Sequence, residues 1–174
     1  NNTPQKSKSL FEASKEMTDL LLLFTAKTGR KTQTQQTNSQ LAKFKNGQQL
    51  FNQIACQKCH ISNYRNIINT FTNDRITASL APYTDLLLHD MGEGLADNRK
   101  EFNATGNEWR TAPLWGIADY LKQSPNPTFL HDGRAKSINE AIVWHGGEAE
   151  ISKLSFMALT KKERTSLINF VESL

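Results

Sequence analysis

The segment Cys56-Gln57-Lys58-Cys59-His60 contains both cysteines of the 174-residue chain. C-x-x-C-H is the attachment signature of a c-type haem. Two thiols three positions apart on a tight turn can reach both vinyl groups of one porphyrin and form thioethers. The histidine that follows then lies under the ring with an imidazole nitrogen directed at the iron. The motif therefore predicts one covalent haem c, attached through Cys56 and Cys59, with His60 as an axial ligand of the metal.

Two other kinds of site use a similar cysteine spacing. A structural zinc site needs four ligands, and the remaining histidines, His89, His131 and His145, form no H-x3-5-H pair. A dithiol oxidoreductase places its C-x-x-C at the start of a helix that follows a buried strand. Here residues 41–54, which precede the motif, have the pattern of a helix. Both alternatives are therefore disfavoured relative to haem attachment.

The composition argues against a nucleic-acid-binding surface and against a membrane-spanning segment. Hydrophobic residues make up 37% of the sequence, and the formal net charge is +4. The basic residues are scattered, without the Lys/Arg tract of a nucleic-acid-binding surface. A mildly basic surface suits an acidic redox partner protein, and simple solvation explains it equally well. The apolar run at residues 20–24 is far shorter than the roughly 18 residues that cross a bilayer, so no membrane span is expected.

The start of the chain and its chemistry suggest where the protein works. The chain begins at Asn1 rather than at Met, and no signal peptide is visible. We interpret it as a processed or truncated product. Attachment of haem c takes place outside the bacterial cytoplasm, so a periplasmic location is expected. The cysteines give no independent evidence of an oxidising compartment, because the haem uses both.

The N-terminal quarter of the sequence differs from the rest. Apolar residues recur near the helical period over residues 9–27, and Gly29 is a plausible stop. Residues 30–40 are polar, rich in Thr and Gln, and predict a linker. The sequence therefore predicts an N-terminal helix and linker at residues 1–40 and a haem domain at residues 41–174.

The predicted elements of the haem domain are mostly helices. Residues 41–54 form an apolar face before the haem motif, although Asn46-Gly47 is an alternative helix start. Residues 64–74 predict a short strand, and residues 103–116 predict irregular structure. Two S/T-x-x-E capping boxes, Ser137 to Glu140 and Thr160 to Glu163, mark the starts of two further helices. The fold expected is mostly α, a cytochrome c-like helical domain closed around one covalent haem by its last helix.

The second axial position of the iron decides between electron transfer and chemistry on a small molecule. Residues Ile138, Ala141, Ile142 and His145 recur at i, i+3, i+4 and i+7, so they form one face that must point inward. A histidine that ends such a face is a hydrogen-bonded core residue or a ligand, and a haem-filled core favours the ligand. Met91, in a glycine-rich loop, is the alternative. Less suitable candidates are Met17, Met157, His89 and His131, the last two being better suited to turn capping or propionate contacts.

Four blocks of the sequence resemble the bacterial di-haem CxxC thiol oxidoreductases, which are relatives of the di-haem cytochrome c peroxidases. The blocks are YTDLLLHDMG at 83–92, EWRTAPLWG at 108–116, FLHDGRA at 129–135 and EAIVWHGGEA at 140–149. The resemblance runs from about residue 41 to the end and implies the C-terminal cytochrome c domain. Family members carry two C-x-x-C-H sites and this chain has one, so a second haem domain, missing from this chain, is an expected partner. Residues 9–27 are then the last helix of that first domain, or a detached helix in a one-haem relative.

The resemblance also implies roles for individual residues. In the peroxidases the helix after the H-x-G turn carries the methionine that ligates the electron-transfer haem, and alignment puts His145 at that position. Arg110 and Arg134 lie in shared blocks and are candidates for neutralising haem propionates, with exposed surface positions as the alternative. The peroxidases have Leu-Arg-Asn where this chain has Leu114-Trp115-Gly116, so the role of that arginine does not transfer. Trp115 is expected to contact the porphyrin or an electron path, with core packing as an equal alternative.

Three classes of function follow from these residues. The leading hypothesis is a c-type cytochrome domain that transfers single electrons through a six-coordinate, bis-His haem. The alternative is a haem peroxidase or thiol oxidoreductase domain, half of a di-haem enzyme, with an open or easily vacated axial position. An interaction module with a structural haem is the third class.

Overall fold

The computed structural model describes residues 13–27, 38–64, 67–68, 75–76 and 80–174. The chain divides into two compact units, Asn1–Gln35 and Gln36–Leu174. The described residues form the helices α1 (Lys15–Lys27), α2 (Asn38–Gln53), α3 (Ile117–Gln123), α4 (Ile138–Trp144), α5 (Glu150–Ala158) and α6 (Lys161–Glu172), and the strands β1 (Ile67–Ile68), β2 (Arg75–Ile76), β3 (Leu88–Asp90) and β4 (Glu108–Arg110). About 50% of the structure is helical and 9% is strand, which confirms the prediction of a mostly α fold.

The first unit contains α1. Its start is capped by Ser14, whose hydroxyl accepts a hydrogen bond from the backbone N–H of Met17 at 3.2 Å. The apolar side chains at residues 20–24 are 47–70% exposed. Residues 9–12 of the predicted helix, and its predicted stop at Gly29, lie outside the described residues. None of the helices in the described part of the chain has the length and apolar character that crossing a membrane requires.

Helices α2 and α6 pack closely in the second unit. A Cβ atom on Gly47 would lie 2.3 Å from the backbone oxygen of Ser166 and 2.4 Å from Cβ of Phe170. Only glycine therefore allows α2 to approach α6 at this point. Helix α2 begins at Asn38, within the predicted linker, and continues through Asn46 and Gly47, so the alternative helix start at those residues is wrong. The last helix therefore packs against the helix that precedes the haem motif.

Aromatic rings fill the space around this helix pair. The Phe170 ring packs edge-on against Phe44, Phe51 and Tyr83, with centroids 4.9, 5.4 and 5.8 Å apart. The side chains of Phe156, Leu167 and Phe170 are at most 1% exposed. Burying a side chain of this size contributes about 1.5–3 kcal/mol relative to leaving it exposed. The core is therefore built mainly on α6 and α2. The predicted capping box that starts α6 is complete, with Thr160 and Glu163 bonded in both directions.

Strands β3 and β4 form a small two-stranded antiparallel sheet. Strands β3 and β4 pair Leu88 with Arg110, His89 with Trp109 and Asp90 with Glu108. The expectation of irregular structure at 103–116 is therefore wrong for β4, whereas the short strand expected at 64–74 is present as β1, paired with β2. Helices α3 and α5 were not predicted, because each starts without a side-chain cap and so without the usual sequence signal.

Candidate haem site

The cysteine motif forms a tight turn directly after α2. Ala55 adopts a left-handed conformation (φ 68°), and Cys56–Lys58 form a 3-10 turn. The backbone N–H of His60 donates to the carbonyl of Cys56 at 3.0 Å, which closes the turn. Cys56 and Cys59 form no disulfide, so both thiols are available at the spacing that thioether attachment requires.

The electrostatic surroundings keep both thiols protonated. Burial raises the pKa of Cys56 to about 12. Burial also raises the pKa of Cys59, and the nearby carboxylates of Asp85 and Glu148 raise it further. A redox-active C-x-x-C pair depends on the opposite shift, since the thiolate is its reactive form. The site therefore lacks the electrostatic environment of a dithiol redox centre.

His60 is held in the tautomer that a metal ligand needs. Its Nδ1 lies 2.9 Å from the backbone oxygen of Tyr83, and because a carbonyl only accepts, Nδ1 carries the proton. Burial lowers the pKa of His60 to about 4, so the ring is neutral at pH 7. Its Nε2 then offers a lone pair, and the described residues give that atom no hydrogen-bond partner.

The loop that supplies this carbonyl is strained and well anchored. Tyr83 (φ 55°) and Leu86 (φ 63°) both adopt left-handed conformations, which cost of order 1–3 kcal/mol each in residues other than glycine. The buried hydroxyl of Thr84 donates to the backbone oxygen of Thr111 at 2.6 Å and accepts from the N–H of Leu86 at 3.0 Å. These bonds fix the direction of the Tyr83 carbonyl and, through it, the orientation of the His60 ring.

His145 directly follows α4, and its ring has the same tautomer and the same neutral state as that of His60. Its Nδ1 lies 2.7 Å from the backbone oxygen of Ala141, so Nδ1–H donates and Nε2 is again without a partner among the described residues. Burial lowers the pKa of His145 as well, and the charge of Lys153 lowers it further. Burial is the main cause of the lowered pKa of His60, and the charge of His145 lowers it further.

Helix α4, which ends directly before His145, follows the sequence prediction in most respects. Ile138 and Ala141 are buried, as the expected inward face requires. The hydroxyl of Ser137 accepts the N–H of Glu140 at 3.1 Å. In the predicted capping box, the Glu140 carboxylate would accept a hydrogen bond from the N–H of Ser137. It accepts instead from the N–H of Lys136, one residue earlier.

His89 differs from both of these histidines. Its Nε2 lies 2.8 Å from a carboxylate oxygen of Asp85, and its Nδ1 lies 2.8 Å from one of Glu148. Carboxylates only accept, so both ring nitrogens donate and the ring is an imidazolium. The hydrogen bond that His89 donates to Glu148 is the main cause of the raised pKa of His89. The ring therefore has no lone pair for iron. The turn-capping role expected for His89 is wrong, since His89 lies within β3, and the propionate contact that was the other expectation stays a prediction.

This charged cluster lies beside the haem-attachment turn. Sγ of Cys59, a carboxylate oxygen of Asp85 and a ring nitrogen of His89 lie within 4.8 Å of one another. Sequence reasoning missed the cluster because Glu148 is 59 positions from His89. The only local signal was the four-residue spacing of Asp85 and His89, which suggests contact in a helix but not in a loop and strand.

The other predicted site residues occupy varied surroundings. Met91 is half-buried, and its backbone oxygen would lie 2.8 Å from a Cβ on Gly146, next to His145. Arg110 is exposed at the end of β4. Trp115 is 38% exposed in the turn before α3. Their contacts with a haem stay predictions.

Arg134 already has several partners. Its guanidinium forms an ion pair with Asp132, donates to the backbone oxygen of Gly94 at 2.6 Å, and lies 4.9 Å from the centroid of the Trp144 ring. These contacts hold the loop before α4 in place. The propionate role predicted for Arg134 stays a prediction.

The donor set fits a c-type haem. Two unpaired thiols, an adjacent neutral imidazole and a second neutral imidazole nearby are the groups that such a cofactor uses. A protein-family model described as "Di-haem oxidoreductase, putative peroxidase" matches residues 2–174 of the sequence. The chain belongs to this family. Among the curated proteins and the solved structures, no match to the chain was found.

Membership of the di-haem oxidoreductase family confirms the resemblance found in the sequence. It supports haem binding and a haem oxidoreductase function in general terms. The sequence of this di-haem oxidoreductase contains two cysteines, which can attach one haem by two thioethers. A second c-type haem would need cysteines outside this sequence.

Proposed function

We propose that this di-haem oxidoreductase domain transfers single electrons through one covalently bound haem c whose axial ligands are His60 and His145. The bound haem supplies the one-electron couple of its iron. The protein supplies two oriented imidazoles, a partly buried setting and thioether attachment through Cys56 and Cys59. Imidazole is a stronger donor than the methionine thioether and stabilises ferric iron, so we expect a lower reduction potential than in a His/Met cytochrome.

The observation that carries this proposal is the matched state of the two rings. Both donate Nδ1–H to a backbone carbonyl, at 2.9 Å for His60 and 2.7 Å for His145. Histidines that ligate metals almost always donate their other ring N–H in this way, because the bond fixes the tautomer and the orientation of the ring. The lowered pKa of each ring keeps it neutral, so neither must lose a proton before it binds iron.

A second candidate function is supported by the family itself, whose description includes peroxidase activity. That chemistry needs an axial position that a small molecule can reach. It would follow if His145 were displaced easily, or if the iron were five-coordinate with His60 alone. The spin state of the ferric protein separates this candidate from the electron-transfer function.

The second haem of the family and the cell compartment enter the proposal as well. We infer that the second haem belongs to a partner domain, since the two cysteines of this chain serve one attachment site. Electrons would then pass between that domain and the haem held here. The periplasm of a bacterium is the proposed location, because haem c is attached outside the cytoplasm.

Replacement of His145 tests the axial assignment. The wild-type protein should be low-spin in both oxidation states and should bind cyanide slowly. His145→Ala should produce high-spin ferric haem and bind cyanide more than about tenfold faster, because no intramolecular ligand competes for the iron. His145→Met should raise the reduction potential and introduce a sulfur-to-iron charge-transfer band. Absorption spectra, cyanide-binding kinetics and potentiometry measure these changes.

Met91→Leu is the matched control, because Met91 lies near the same turn and was the alternative ligand. It should leave the spectrum unchanged. If the wild type already shows the sulfur band, or if Met91→Leu rather than His145→Ala produces high-spin haem, Met91 is the ligand. A wild type that is high-spin and binds peroxide rapidly would instead support the peroxidase function.

A further inference from the structure

His89 connects the loop that orients His60 to the turn that follows His145. Its side chain is only 16% exposed, and that of Asp85 is 6% exposed. Asp85 lies two residues after Tyr83, whose carbonyl accepts the Nδ1–H of His60. Glu148 lies three residues after His145, in the 3-10 turn Gly147–Ala149. The imidazolium of His89 therefore bridges the segment that orients His60 and the segment that follows His145.

Glu148 is anchored to β3 through both of its oxygens. Oε2 accepts from Nδ1 of His89 at 2.8 Å, and Oε1 accepts from the backbone N–H of Asp90 at 3.0 Å. Hydrogen bonds with charged partners are about twice as strong as neutral ones. The carboxylate thus fixes both the distance and the rotation of the turn relative to the strand.

The backbones of the two segments also touch. A Cβ on Gly147 would lie 2.2 Å from the backbone oxygen of Asp90, and one on Gly146 would lie 2.8 Å from that of Met91. Gly147 also adopts a left-handed conformation (φ 51°). This approach needs glycine at both positions, which accounts for the Gly146-Gly147 pair.

We propose that His89 is a positioning residue that holds the 146–149 turn on β3 and thereby keeps His145 directed at the iron. This inference rests on the proposed bis-His function and deepens it. Because His145 is the last residue before the clamped turn, any displacement of the turn moves the imidazole directly. The bridge sets how readily the distal ligand leaves the metal.

Removal of the His89 imidazolium would turn the attraction between β3 and the 146–149 turn into a repulsion. Without His89, the carboxylates of Asp85 and Glu148 face each other with no cation between them, and like charges repel. The half-exposed Glu148 side chain then turns toward water, and the backbone bond to Asp90 is weakened with it. The 146–149 turn loses its attachment, and His145 samples positions away from the iron.

The test compares ferric holo-proteins carrying His89→Ala, Glu148→Ala or Thr160→Ala. Thr160→Ala removes the cap of α6 and lowers the overall stability without touching the bridge, so it is the matched control. We expect His89→Ala and Glu148→Ala to show a partial high-spin signal and to bind cyanide about tenfold faster than the wild type. This factor corresponds to about 1.4 kcal/mol at 25 °C. Thr160→Ala should bind cyanide at the wild-type rate.

The outcomes separate this inference from the function on which it rests. If His145→Ala binds cyanide rapidly but His89→Ala and Glu148→Ala both match the wild type, the positioning role is overturned and the bis-His assignment stands. A Thr160→Ala rate as fast as that of His89→Ala would also overturn it, because the effect would then follow overall stability. If the wild type is already high-spin, the bis-His assignment fails and this inference fails with it. Should His89→Ala not yield mature protein, Glu148→Ala decides, since it leaves the His89–Asp85 contact in place.

Discussion

The helical region around α2 and α6 and the loop region around β3 and the 146–149 turn are held together by different forces. In the first, buried aromatic and aliphatic side chains pack against one another, and Gly47 allows the helices to touch. In the second, the contacts are charged hydrogen bonds around His89 and close backbone approaches at glycines. Apolar packing depends little on pH or salt, whereas exposed or half-exposed charges are sensitive to both.

This difference bears on the two proposed iron ligands. His60 follows α2 and packs against the aromatic core, with its ring centroid 6.2 Å from that of Phe51. His145 follows a helix of seven residues, and the turn after it is fixed by polar contacts. The proximal side is therefore the rigid one. We expect ligand exchange, where it occurs, to begin at His145.

The largest effect is expected in the helical region. Phe170→Ala removes a ring that is 1% exposed and contacts three other rings. The loss of packing and the cavity left behind should reduce the free energy of unfolding by about 3–5 kcal/mol. Urea denaturation followed by circular dichroism measures the change.

Phe102→Ala is the control for this deletion. It removes the same ring from a position that is 91% exposed, so its effect should stay within about 0.5 kcal/mol. If the two variants were destabilised equally, the helical region would not be the main source of stability. The comparison between the two regions would then be wrong.

Part of this architecture was predictable from the sequence. The haem motif and the cap at Thr160 are local patterns, and the structure contains the corresponding turn and helix. The inward face of α4 was predictable for the same reason, because helical spacing alone aligns Ile138, Ala141 and His145. A hydrogen bond or contact between residues close in sequence can be predicted without knowledge of the fold.

The loop region was not predictable in this way. The bridge from His89 to Glu148 spans 59 positions, and no propensity or spacing rule indicates which distant carboxylate meets a given histidine. Strand β4 has three residues, which is too short for an alternating pattern to stand out. The left-handed conformations at Tyr83 and Leu86 are imposed by tertiary contacts, since neither residue type favours them.

The pH dependence of the unfolding free energy should distinguish the loop region from the helical region. The pKa of His89 is raised from its ordinary value of 6.5, so its contribution is complete below pH 6.5 and is lost as the pH rises through the raised pKa. The pKa values of Asp85 and Glu148 are lowered from 3.8 and 4.5, so their contribution is complete above pH 4.5 and is lost as the pH falls through the lowered pKa values. The bridge should therefore stabilise the protein most between pH 4.5 and 6.5.

The variant His89→Gln tests whether the bridge stabilises the protein in this pH range. The difference in unfolding free energy between wild type and variant should reach about 1 kcal/mol inside the window, a modest value because Glu148 is half exposed. It should shrink on both sides. Urea titrations at several pH values provide the measurement, and a difference that is constant across the whole range would contradict the ionic description of the bridge.

A similarly modest effect on stability is expected from the cap of α4, the helix that precedes His145. Ser137→Ala removes the hydroxyl that accepts the N–H of Glu140, and the loss of such a cap costs about 1 kcal/mol. Thr160→Ala removes the equivalent bond in α6 and should cost about the same. The two variants should differ in the rate of cyanide binding, because α4 ends at the proposed ligand, whereas α6 belongs to the rigid region.

A faster rate for Ser137→Ala than for Thr160→Ala, at equal loss of unfolding free energy, would show that the distal side responds to local rather than overall stability. Equal rates would mean that His145 is held by its turn alone, and that α4 contributes nothing to its position.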